Sequence, residues 1–277
     1  MKPWLRIFLI GLVLWIATVI VTAWTENSNL VPTVVLLGSF LVPVTFVVWA
    51  WGRERSPNIT EPLMFTSFVV GGVLGVLGAS LLETWLVKPS LVMFVLVGLI
   101  EEAVKLAALM FVTRRLRERT TKEGLVLGAT VGFGFAAFES AGYAFNALFT
   151  ERGLSLAQLV ETEVLRGILA PVGHGLWTAI LGGVLFTYGG RLTRQVVLAY
   201  LGVSLLHALW DSMTAIAIAV TLVLTGKPWQ FAQIRIGQVP GITEGQVHVY
   251  TILEWVGLIA ISVVALLWLR RINETAR

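Results

Sequence analysis

The sequence predicts an all-α polytopic membrane protein of about eight transmembrane helices, with both termini in the cytoplasm. Three observations lead there. The 277 residues are 57% hydrophobic and 13% charged, whereas soluble domains run at about 45–50% and about 25%. Mean hydropathy is +0.85. Eight apolar stretches are each long enough to cross the hydrocarbon core as a helix, which takes about 20 residues.

The stretches lie near 4–24, 30–51, 62–82, 90–112, 124–149, 165–188, 196–224 and 247–269. The first is too long for a signal-peptide core, and no small-residue cleavage site follows Trp24. The third carries the step Gly71–Gly75, and the fourth holds three charges. The fifth places a small residue at every fourth position, Gly124, Gly128, Gly132, Ala136 and Ser140. Such a ridge lets helices approach closely, within one chain or between two. In the sixth, Pro171, Gly173 and Gly175 surround His174 and predict a locally broken helix. The seventh and eighth are expected as continuous spans. Residues 150–164 suit a short interfacial helix, and residues 225–246, with Pro228, Pro240, Gly241 and Gly245, suit an irregular loop. Trp4, Trp24, Trp49, Trp51, Trp85, Trp229 and Trp268 fall near span ends, as an aromatic belt requires, and Glu83 is expected at the outer interface beside Trp85.

Charge sets the orientation. With the N-terminus inside, 14 of the 20 Lys and Arg residues face the cytoplasm, including Arg53, Arg55, the run from Arg114 to Lys122, and Arg277. Five face out: Lys88, Arg152, Arg166, Lys227 and Arg235. This is the positive-inside pattern. The net charge of +4 therefore reports topology, and no nucleic-acid partner is expected. Loops are short, so residues 1–277 are expected to form a single integral membrane domain in the cell membrane. The chain has no cysteine, which excludes disulfides, thiolate metal sites and a cysteine nucleophile.

Against this background the intramembrane polar residues are conspicuous, because a charge at bilayer depth costs about 2.5–3.5 kcal/mol. The fourth span carries Glu101, Glu102 and Lys105. The lysine stands i+4 and i+3 from the glutamates and can serve both. The two glutamates point about 100° apart on a helix, so they are not expected to share one small site. The fifth span adds Glu139, the sixth His174, and the seventh His207 and Asp211, an i,i+4 pair holding the only aspartate in the chain. These seven residues on four consecutive spans predict one shared polar site.

Carboxylates and imidazoles at one depth suit two jobs: activating water for hydrolysis, or moving protons through a transporter or channel. A non-catalytic scaffold is a third reading. Among hydrolases, an aspartyl dyad is excluded by the lone Asp211, and neither His-Glu-x-x-His nor Gly-x-Ser-Gly occurs. Ser204, three residues before His207, has no accompanying oxyanion motif.

The ordered pattern Glu101-Glu102-x-x-Lys105, Phe135-x-x-x-Glu139, His174, His207-x-x-x-Asp211 resembles the PrsW-type intramembrane proteases, distant relatives of the CAAX prenyl proteases. The resemblance covers about residues 60–224, the expected catalytic core. The lysine spacing and Glu139 depart from the prenyl-protease pattern. The resemblance implies hydrolysis of membrane-anchored protein substrates near the extracytoplasmic face, with anti-sigma factors as the best-known class. In the mechanism we expect, the Glu101–Glu102 pair supplies the general base, with Glu102 favoured. Lys105 orients the carboxylates, and His174 holds the water. His207 and Asp211 complete a metal site or stabilise the oxyanion and leaving amine. Two imidazoles with carboxylates satisfy zinc, so Zn2+ on His174, His207, Asp211 and Glu139 stands beside a metal-free glutamate mechanism.

Overall fold

The computed structural model describes residues 1–54, 56–90 and 92–275; Arg55 and Arg277, counted above as cytoplasmic charge, lie outside them. The chain forms α1 (Pro3–Thr25), α2 (Val31–Arg53), α3 (Glu61–Val69), α4 (Gly75–Leu86), α5 (Met93–Thr113) and α6 (Thr121–Ala147). A two-residue hairpin, β1 (Phe149–Thr150) with β2 (Gly153–Leu154), precedes α7 (Leu156–Leu169). Then follow α8 (His174–Thr187), α9 (Arg194–Asp211), α10 (Met213–Thr225), α11 (Pro228–Arg235) and α12 (Glu244–Thr275).

This is a polytopic all-α membrane protein. Among the described residues six helical segments are long and apolar enough to span a membrane, and the bent pair α9–α10 makes a seventh. The expected fourth span is α5, 21 residues long, which packs Glu101, Glu102 and Lys105 into five successive positions.

Four local expectations change. The third span is α3 and α4 joined by a π-turn at Val70–Leu74. The 150–164 segment lengthens into α7, which runs through a 3₁₀ turn at Ala170–Val172 into α8, so the predicted break falls immediately before His174. The seventh span bends by 58° after Asp211. The loop expected to be irregular contains α11, held to α12 by a reciprocal amide pair between Gln230 and Gln246 at 2.8 and 3.0 Å.

Helix α6 is the axis of the bundle, and its contact with α8 is the most extensive in the molecule. The small-residue ridge explains it. Gly124, Gly128 and Gly132 lie against the backbone carbonyls of Gly182, Thr178 and His174, where a single methyl would overlap. On the other side Gly71 and Gly75 meet Val131 and Phe135. The glycine steps therefore pack helices within one chain. A capping box of Thr120 and Glu123 starts α6, and Glu123 also accepts from Ser56 and, at 2.9 Å, from Asn58. At the periphery α1 exposes Leu9, Ile10, Val13 and Ile20, a surface suited to lipid.

Candidate active site

Helix α5 brings the charges. Lys105 Nζ lies 2.7 Å from Glu102 Oε1 and 3.3 Å from Glu101 Oε2, and it donates to His174 Nδ1 at 2.8 Å. The ammonium also sits 4.3 Å from the centre of the Phe135 ring. Lys105 and Glu102 are fully buried and Glu101 nearly so. An isolated buried charge costs several kcal/mol; here one cation is shared by two anions, an imidazole and an aromatic face.

Glu101 and Glu102 are not expected to share one small site, yet both reach Lys105 and His207. Three torsions per side chain close the 100° gap. The carboxylates converge on Lys105 and bracket one imidazole: Glu102 Oε1 is 3.0 Å from His207 Nδ1, and Glu101 Oε2 is 3.7 Å from His207 Nε2. Gly98, one turn before the pair, makes this possible. A Cβ there would stand 2.7 Å from the Ser204 carbonyl and 3.5 Å from His207 Cβ, so only glycine lets α5 lie this close to α9.

His174 begins α8, where the 3₁₀ turn and Gly173 reset the chain direction. Its Nδ1 accepts from Lys105, so Nε2 carries the proton toward Glu139 Oε2 at 3.0 Å. Glu139 is paired in turn with Arg166 of α7, whose Nε donates to Ser140 Oγ at 2.8 Å. On α9, His207 Nε2 lies 3.2 Å from Asp211 Oδ2, the last residue before the bend. The Trp177 ring stands 5.4 Å from His174 and 4.7 Å from His207, closing the apolar side.

These groups border a cavity of about 480 Å³ whose wall includes Glu83, Glu101, Glu139, Arg166, His174 and Asp211. The structure therefore brings together all seven residues singled out in the sequence. It also separates them by depth: Glu101 faces the cavity, whereas Glu102, Lys105 and His207 lie behind it. Glu102 is absent from the cavity wall, and a base must reach the water it activates.

The expected metal set is redrawn as well. Glu101, His174 and His207 offer ligand atoms within 4.8 Å of one another. Glu139 and Asp211 stand outside that group. Glu139 meets His174 on the nitrogen opposite Lys105. The pattern of carboxylates behind both imidazoles is what metal-ligating histidines need to fix tautomer and ring orientation.

Two cavity residues went unrecognised in the sequence. Arg166 counted as an outer-loop charge and Glu83 as an interfacial one, yet both line the cavity. Neither sits in an apolar run long enough to make its charge conspicuous. Ser204 takes no part: both nitrogens of His207 face carboxylates.

The sequence model of the PrsW family intramembrane metalloproteases matches residues 60–236, more than half of the chain. No curated protein and no solved structure matches.

Proposed function

This chain belongs to the PrsW family of intramembrane metalloproteases, and we propose that it cuts membrane-anchored proteins close to their extracytoplasmic face. It is a peptidase and a multi-pass membrane protein, and its substrate is a membrane protein. Anti-sigma factors are the substrate class to which the family resemblance points. Kinship with the CAAX prenyl proteases belongs to the same reading, supported by the glutamate pair of α5. Residues 60–224 are the proposed catalytic core of one membrane domain.

The observation that carries this reading is the cavity and its backing: Glu101, Glu139, His174 and Asp211 line the wall, and His207 and the ion-paired Lys105 stand behind it. The donor set fits a metal, since Glu101, His174 and His207 supply one oxygen and two nitrogens within 4.8 Å. Zn2+ is the ion we favour, because two imidazoles with one carboxylate are a known protein-ligand set for hydrolytic zinc. When bound, such an ion supplies a Lewis acid and an acidified water.

The chain's own residues do the rest. Glu139 and Glu102 fix the two imidazoles from behind. Lys105 balances the two glutamates of α5. Asp211 Oδ2, on the cavity wall and 3.2 Å from His207 Nε2, takes the proton from the attacking water and returns it to the leaving amine. Arg166 places positive charge on the wall beside Glu139, where the tetrahedral oxyanion develops.

The test compares protein N-termini in membranes holding this protein or its Glu101→Gln variant at equal abundance. New termini next to transmembrane segments, present only with the unaltered protein, are the expected result. Identical termini with both proteins folded would reject the protease reading.

A further inference from the structure

Helix α4 contributes nothing to the sequence motifs, yet one of its faces forms a cavity wall. Val76, Ala79, Ser80 and Glu83 line it, at i, i+3, i+4 and i+7. The two middle side chains are small and leave room. Phe94 and Val97, from the start of α5, add an apolar flank. Glu83 closes this subsite with a carboxylate.

Among the described residues that carboxylate has no basic side chain paired with it. The other lining carboxylates each have one: Glu101 has Lys105, Glu139 has Arg166 and His174, and Asp211 has His207. Among the described residues Glu83 has no cation within ion-pair distance, and its Oε1 is sealed from solvent without a hydrogen-bond donor. A buried acceptor of this kind is expensive to leave unmet, and native proteins meet almost all of them. A lysine or arginine side chain has the matching form, an apolar stem for Phe94 and Val97 and a charged head for Glu83.

We propose that Glu83 is a specificity-determining residue that receives a basic side chain of the substrate, close to the scissile bond. The inference rests on the protease reading and adds a substrate preference to it. It places the chemistry of selection on α4, apart from the residues that carry the hydrolysis.

The experiment maps cleavage sites from membrane N-termini for the unaltered protein, Glu83→Gln, Glu83→Arg and Glu101→Gln. Each is scaled to folded protein, read by the heat resistance of the detergent-solubilised chain. The unaltered protein should cut with Lys or Arg enriched at one fixed position near the bond. In Glu83→Gln the ratio of cuts beside basic residues to cuts beside apolar ones should fall about tenfold, the scale of one hydrogen bond to a charged group. Glu83→Arg should move the preference toward Asp and Glu. An unaltered protein with no basic enrichment would overturn the proposal. So would variants that keep the same enrichment, or that lose all cuts in proportion, as a structural role predicts. Identical termini from the unaltered protein and Glu101→Gln would instead reject the protease reading, and this inference with it.

Discussion

Glu101 and Glu102 are adjacent in sequence and differ in what they can touch. Glu101 lines the cavity, while Glu102 is fully buried and engaged by Lys105 and His207. Glu101→Gln should therefore abolish cleavage and lower the amount of tightly held metal in the purified protein. Glu102→Gln acts through the imidazole it orients, and its loss should be partial, about 10–100-fold. Equal losses, with equal metal content, would contradict the division between them. Arg166 supplies a second test. Replacing it with Gln leaves Glu139 without its guanidinium, and activity should fall about tenfold or more, as it does when a preorganised charge is removed. Arg166→Lys restores charge without the donor to Ser140 and should recover part of that loss. An Arg166→Gln enzyme with full activity would remove the residue from the site. Legibility at this scale followed cost. Glu101, His174 and Asp211 stood out because lipid penalises them; Arg166 and Glu83 lie near expected interfaces, where a charge needs no explanation, and only folding shows that they turn inward.

At the scale of elements, the site depends on close packing and on two interruptions. Gly132 on α6 touches the carbonyl of His174, so the glycine ridge sets where that imidazole begins. Gly132→Ala must push α8 outward. It should destabilise the protein by about 1–3 kcal/mol and reduce cleavage more than an equally destabilising change in α12. Gly142→Ala is the control, since a methyl there meets nothing within 4 Å. Thermal melting in detergent with the cleavage assay separates the two; matching behaviour of both variants would show that the ridge does not place His174. The break before His174 was legible from Pro171 and Gly173. The bend after Asp211 was not, because Asp211-Ser212-Met213 holds no glycine or proline; at the bend Ser212 Oγ donates to the Ala208 carbonyl at 2.6 Å, a local bond that competes with the helix ladder. Helix α11 was hidden by Pro228 at its start and by its polar residues, and it depends on the Gln230–Gln246 pair, a contact 16 residues apart.

At the scale of the whole molecule, the question is to which side the cavity opens. Its wall includes Glu83 near the end of α4, Phe94 at the start of α5, Tyr143 near the end of α6 and Arg166 on α7. All belong to the end of the bundle that carries the α4–α5 connection and the β1–β2 hairpin. The opposite end carries the arginine-rich segment between α5 and α6. The positive-inside rule predicts a cytoplasmic place for that segment; we propose on that basis that the cavity lies toward the extracytoplasmic side, where a substrate segment leaving the membrane would meet it. A chain without cysteine makes the test direct, because one introduced thiol is the only one present. Glu151→Cys, exposed in the hairpin, should react with a membrane-impermeant maleimide on intact cells. Arg117→Cys, exposed between α5 and α6, should react only after the membrane is opened. The reverse pattern would turn the cavity toward the cytoplasm. Extracytoplasmic cleavage would then be untenable even if the catalytic groups proved correct, because the face where a substrate is cut follows from the orientation of the bundle and not from the identity of the residues within it.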